Sequence, residues 1–192
     1  GGIISYNEKH SKEDAVLFTD PTFFKIFNYH FLAGDPVNPL AKPGSVVITK
    51  TLCDKLFANP QAAINKTIYF DNNSPSQIIG VIRDVPENSH FTFQALRSIP
   101  LDYTGGWGNL NIYTYLLLKK NADVKNLRTK MPAFVKKYFT ANGLDIKYAL
   151  ELQPLTSIHL HSHLSYELGE NRNINYLYVL SIIGLLILII AF

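Results

Sequence analysis

The 192-residue sequence predicts a mixed α/β domain running into a membrane-type helix, and three observations carry that expectation. Short apolar runs bounded by turn residues alternate with segments of helical period through most of the chain. Twelve Phe and eleven Tyr supply the large side chains that suit packed strands. Residues 176–192 read YLYVLSIIGLLILIIAF without a single charge. A helix of that length is about 25 Å long, a little short of the roughly 30 Å hydrocarbon core, so the run is expected to be the start of a truncated span. A soluble core helix would carry a polar stripe, and this one has none.

The elements follow in order. Residues 15–18 (AVLF) read as a short strand. Asp20-Pro21 then opens an expected helix, Asp as N-cap and Pro in the first turn, with Phe23, Phe24 and Phe27 as its apolar face. Gly34-Asp35-Pro36 turns the chain. Residues 45–48 are a buried-type strand, and Thr49 caps a helix whose Leu52, Cys53, Leu56 and Phe57 share one face. Residues 67–70 and 77–82 flank Asp71-Asn72-Asn73-Ser74-Pro75 and predict a hairpin.

Pro86-Glu87-Asn88 is a further turn, and residues 91–93 alternate like an edge strand. Residues 113–118 predict a strand. Asp123 caps a helix carrying Val124, Leu127, Met131, Phe134, Val135 and Tyr138, with Pro132 expected to kink or break it near Lys130. A last strand is expected over 148–152. The domain is thus expected to span 1–170, and 171–192 to enter the membrane.

Charge narrows function. The net charge is +3 and no Lys/Arg run appears, which leaves nucleic-acid binding without an electrostatic footprint. Cys53 is alone and excludes an internal disulfide. Before the apolar run the flank holds Glu167, Glu170 and Arg172 and no Lys cluster, which favours the outer side of a membrane for the domain. Tyr176 and Tyr178 stand where interfacial aromatics belong.

Several motifs invite chemistry and resolve otherwise. GSVVITKT at 44–51 approaches a phosphate loop, but Thr49 replaces its second Gly and the strand follows the first Gly rather than preceding it. His159, His161 and His163 would share a face on an extended backbone, yet no carboxylate or Cys joins them, so a polar connector is expected instead of a metal site. Cys53 sits among apolar neighbours and reads as core. Asp84 and Glu87 surround a turn, and Trp107 in Gly105-Gly106-Trp107-Gly108 reads as a packed loop aromatic. No catalytic, cofactor-binding or metal-ligating residue is expected.

The order of segments resembles the periplasmic core domain of ABC-transporter permeases of the macrolide-exporter (MacB-like) and FtsX-like superfamily, of the type common in Bacteroidetes. The matching pieces are FTDPTFFKIFNYHFLAGDP (18–36), SVVITKTLCDKLF (45–57), INKTIYF (64–70), IIGVIRDVPENSHFTFQAL (78–96), YTYLLLKKNADVKNL (113–127), LQPLTSIHLHS (152–162) and the apolar run. Asn65 stands where the family's turn carries Gly, and Asn tolerates the left-handed backbone that such a turn needs. The family's first span and the opening of its domain are expected before Gly1.

The resemblance implies a non-catalytic permease subunit, dimeric, with ATP hydrolysed by a separate cytoplasmic subunit or domain. It further implies an inner-membrane anchor, a periplasmic adaptor or outer-membrane partner, and export of a drug, peptide or lipoprotein. Residues 164–175 would form the mechanical joint to the span. An extracytoplasmic ligand-sensing domain of a signalling receptor is the alternative that the same layout permits. A membrane-anchored enzyme lacks any site.

Overall fold

The computed structural model describes residues 2–13, 15–86, 88–100, 103, 112–139, 148–161, 168 and 174–191. The chain divides into a unit of residues 1–85 and 93–150 and a unit of residues 86–92 and 151–192.

The first unit is built on a mixed eight-stranded sheet. Its strands are β1 (Gly2–Tyr6), β2 (Lys9–Glu13), β3 (Val16–Thr19), β4 (Phe31–Gly34), β5 (Ser45–Thr49), β6 (Thr67–Phe70), β7 (Ser74–Ile82) and β8 (Ala95–Ser98). They lie in the order β2-β1-β6-β7-β5-β8-β3, with β4 on β7. The nine-residue β7 is the spine. Its first half takes β6 antiparallel, with Phe70 opposite Ser74, and further along it takes β4 antiparallel, with Gly34 opposite Gly80. β5 runs parallel to β7, antiparallel to β8, and β8 pairs parallel with β3. All five residues of β5 are buried, which is what a strand flanked by neighbours and covered on both faces demands.

Helices α2 (Lys50–Leu56) and α3 (Pro60–Ala63) supply Leu52, Cys53, Leu56 and Ala63 to the main core, against Val46, Ile48, Ile68 and Ile78 of the sheet. The start of α2 is tightly held. Thr49 Oγ1 accepts from Leu52 N at 3.4 Å and donates to Gln94 Oε1 at 2.5 Å, while Asp84 Oδ1 accepts from Thr51 N at 2.8 Å. Two amide donors that a helix start leaves open are thereby satisfied. Asn59 caps α3 by accepting from Ala62 N at 2.9 Å, with Pro60 in the first turn.

Asn65 adopts φ 63°, and its N–H donates to Ile78 O at 2.8 Å. The left-handed turn expected there is present. The 71–73 turn of the β6–β7 hairpin uses Asp71 at φ 49° and Asn72 at φ 65°, residue types that accept this region.

Other expectations are corrected. The helix after Asp20 is only α1 (Phe23–Ile26), with Thr22 at its N-cap position. Asp20 Oδ1 instead accepts from Thr22 N at 2.6 Å and Thr22 Oγ1 at 2.5 Å, a local turn that occupies the carboxylate before the helix starts. Residues 91–93 are not a strand: the ladder opens at Ala95, after Gln94 has donated its N–H to Ala15 O and accepted from Thr49 N. Residues 113–118 and 148–152 also lie outside the sheet. Tyr115 packs its ring against Phe27 at 5.0 Å, and Tyr148 packs against Phe139 at 5.0 Å. Ring packing places these side chains without any strand pairing.

Helix α4 (Val124–Tyr138) is capped by Asp123, whose Oδ1 accepts from Asn126 N at 3.0 Å. It continues through Pro132 without the expected break. In the second unit, Ser89 N donates to Pro86 O at 3.0 Å to close the expected turn. That unit also holds α5 (Leu155–His161) and α6 (Ile174–Ala191). No helix among the described residues is long and apolar enough to cross a membrane.

Candidate functional site

The ionisable groups of the sheet serve structure first. Glu13 on β2 keeps only 7% of its side chain exposed, yet accepts from Ser11 Oγ at 2.5 Å and from Lys55 Nζ of α2 at 2.6 Å. A carboxylate taken from water needs such charge-assisted partners. Lys50 and Asp54, one turn apart on α2, form an exposed pair.

Arg97 on β8 is held by both stacking and hydrogen bonds. Its guanidinium lies 4.1 Å from the Phe70 ring and 4.9 Å from the Phe18 ring, while Nη2 donates to Ser74 Oγ at 2.6 Å and Nε to Ser76 Oγ at 3.2 Å. Burial pulls its pKa below the usual arginine value, and the Asp71 charge opposes the change. Arg97 thus braces β3, β6 and β7 across the sheet, combining stacking with directed hydrogen bonds as a lysine could not. Asp71 itself accepts from Ile3 N at 2.9 Å and fixes the hairpin turn to β1.

A second cluster is aromatic. Phe23 stacks on Tyr29 at 5.9 Å, and Phe93 meets the edge of Tyr29 at 5.5 Å. Burial pushes the phenol pKa of Tyr29 up to about 12, with Tyr115 adding to it, and that of Tyr115 up to about 12, with Tyr113 adding.

The residues singled out from sequence do not converge. Gly44, at φ 72°, precedes β5 rather than following a strand, so the 44–51 segment lacks phosphate-loop geometry. Thr49 and Asp84 cap α2. The backbone at His159 and His161 is helical, so the extended geometry that would align alternate imidazoles does not occur there; His163 lies outside the described residues. Glu87 and Trp107 also lie outside them. Among the described residues no three His, Cys, Asp or Glu side chains gather as metal ligands.

Cys53 is fully buried, and desolvation raises its thiol pKa. Native protein is therefore expected to resist a thiol reagent that labels it stoichiometrically in denaturant. Fast labelling under native conditions would contradict its core placement.

Glu13 and Arg97 carry no signal in the sequence, because Lys55 reaches Glu13 from α2 and the partners of Arg97 stand on β3, β6 and β7, so only the tertiary fold brings them together.

Residues 2–134 match the model of the MacB-like periplasmic core domain, which takes in all eight strands and begins ahead of the first motif at Phe18. Among solved structures, a domain described as part of a permease from Porphyromonas gingivalis superposes with TM-score 0.55 at 17% identity, over 72% of this chain and 66% of that one. The periplasmic region of MacB from Actinobacillus actinomycetemcomitans gives TM-score 0.48 at 17% identity, over 71% and 62%. The extracellular domain of the transporter YknZ from Gram-positive bacteria gives 0.37 at 15%, over 52% and 49%. The chain spans between about half and two thirds of the length of these solved domains. No curated protein matches the chain significantly. The Porphyromonas domain shares the mixed sheet fold, and the match over 2–134 settles the family: this chain belongs to the MacB-like periplasmic core domains, the periplasmic part of ABC-transporter permeases.

Proposed function

We propose that the domain is the non-catalytic, moving periplasmic part of an exporter, and the family match over 2–134 is the observation that carries this reading. A separate cytoplasmic ATPase supplies the motion. The permease works as a dimer, and a periplasmic adaptor or outer-membrane protein receives the substrate, which is a drug, peptide or lipoprotein. Residues 1–170 stand on the periplasmic side and 171–192 enter the inner membrane. The composition of α6 supports this, since its eighteen residues include no Asp, Glu, Lys or Arg. No side chain of the chain performs acid–base or covalent chemistry in this reading, and no cofactor is bound.

The test addresses residues 164–175, the joint between domain and membrane helix. Motion at one site shifts another only when a packed element links the two states. Replacing 164–175 with a Gly/Ser linker of equal length in the full transporter is expected to leave the domain folded and the ATPase bound, and to abolish export. Export at the wild-type rate would rule out transmission through this joint.

A further inference from the structure

Residues 113–118 (YTYLLL) have the composition of a strand, yet they belong to none of the eight. Leu116, Leu117 and Leu118 are 55%, 69% and 40% exposed. Among the described residues, no backbone N–H or C=O of these three leucines meets a protein hydrogen-bond partner. Water can serve the amides, but it is a poor neighbour for three consecutive apolar side chains.

The same unit holds the complementary feature. β3 ends the sheet with β8 as its single neighbour among the described strands, so its other edge offers a second row of amide and carbonyl groups. Phe18 on that strand is 53% exposed. Neither β3 nor residues 113–118 carries a charge, and the charges that follow them are opposite: exposed Asp20 after β3, exposed Lys119 and Lys120 after Leu118. One chain thus holds an unfilled strand edge and a strand-type segment without a sheet, and its own sheet does not join them.

We infer that residues 113–118 of one copy add to the free edge of β3 in a second copy, so that the sheets of two chains continue into one another. A parallel register brings Lys119 and Lys120 beside Asp20 of the other chain. A two-fold relation between the copies closes both contacts at once. The occupant is a second copy because this chain supplies both halves of the contact with matching flanking charge. The inference adds a contact to the permease reading without resting on it, and its test reads that contact rather than export.

Two full chains are prepared in a Cys53→Ala background, Thr19→Cys with one affinity tag and Leu118→Cys with another, and mixed in detergent micelles. A short bismaleimide, which tolerates small differences in register, is expected to join the two tags. Adding Leu116→Pro to the Leu118→Cys chain removes an amide donor from the ladder and is expected to slow the crosslink at least about tenfold, while Leu116→Val keeps the parent rate. Residue 116 is exposed and outside every helix and strand, so circular dichroism and melting are expected to be unchanged in both variants. No crosslink between the tags would overturn the inference. A rate indifferent to Leu116→Pro would also overturn it, assigning association to α6 or another surface. Crosslinking confined to a single chain that bears both cysteines would overturn it too, because the edge would then belong to the chain's own segment.

Discussion

Replacing Gly34 with alanine is expected to cost the domain about 3 kcal/mol or more, and to lower its denaturation midpoint in urea without changing the slope. Gly34 ends β4 at φ 92°, and a Cβ there would stand 2.2 Å from Ile79 O and 2.8 Å from Gly80 Cα. Both obstacles are backbone of the central strand β7, so relief would have to open the β4–β7 pairing. Gly44 provides an internal comparison. It also has positive φ, at 72°, but a Cβ there meets nothing within 4 Å. Gly44→Ala therefore isolates the conformational cost alone, about 1 kcal/mol. If the two substitutions prove equally mild, close approach of β4 to β7 is not what requires Gly34.

Phe93→Ala is expected to cost about 3–5 kcal/mol, the usual range for emptying a buried aromatic site. Phe93 is 1% exposed and contacts Phe23 at 6.1 Å and Tyr29 at 5.5 Å. The same substitution is expected to change the alkaline behaviour. Tyr29 and Tyr115 titrate at about 12 in the folded protein, against an unfolded value of about 10. Between these values the unfolded chain has lost protons that the native protein retains. Their contribution is thus fully present below pH 10 and is lost as the pH rises to about 12. Opening the site beside Tyr29 admits water to its phenol, lowers its native pKa and shortens that window. Tyrosinate absorbance in a Tyr115→Phe background measures the change for Tyr29. A native titration of Tyr29 unaltered by Phe93→Ala would show that other groups exclude the water.

The local signals in the sequence proved most informative where the chain makes its own partners. Thr49 before an apolar helical face, Asn65 in a left-handed turn, and Asp71-Asn72 between two apolar runs each specify structure within a few residues. The membership of the family was legible for the same reason, since its motifs are strings of such signals. Strands that depend on distant neighbours were harder. β2 reads KHSKE, a polar string, yet Ser11 and Glu13 are buried, because Ser11 donates to Glu13 and α2 brings Lys55 to meet the Glu13 carboxylate. β4 and β8 have only four residues each, too few to display a period. Conversely, residues 113–118 have strand composition but stand outside the sheet, with Leu116, Leu117 and Leu118 exposed. Composition favours a pleated half-buried surface without supplying the adjoining strand.

The parallel pairing of β3 with β8 has a consequence for biogenesis. Val16 lies opposite Ala95, and Thr19 opposite Ser98. A chain emerging from its N-terminus can close the β1–β2 hairpin at once, but residues 16–19 must wait for residues 95–98 before they gain their sheet neighbour. During that interval Val16, Leu17 and Phe18 lack the only strand that pairs with them among the described residues. Long-range parallel closure is slow, and an open strand of this kind is a template for pairing with other chains. Vectorial synthesis therefore delivers the β1–β2 hairpin first and β8 last among these strands, so a chain cut before residue 95 is expected to leave residues 16–19 open to pairing with another chain.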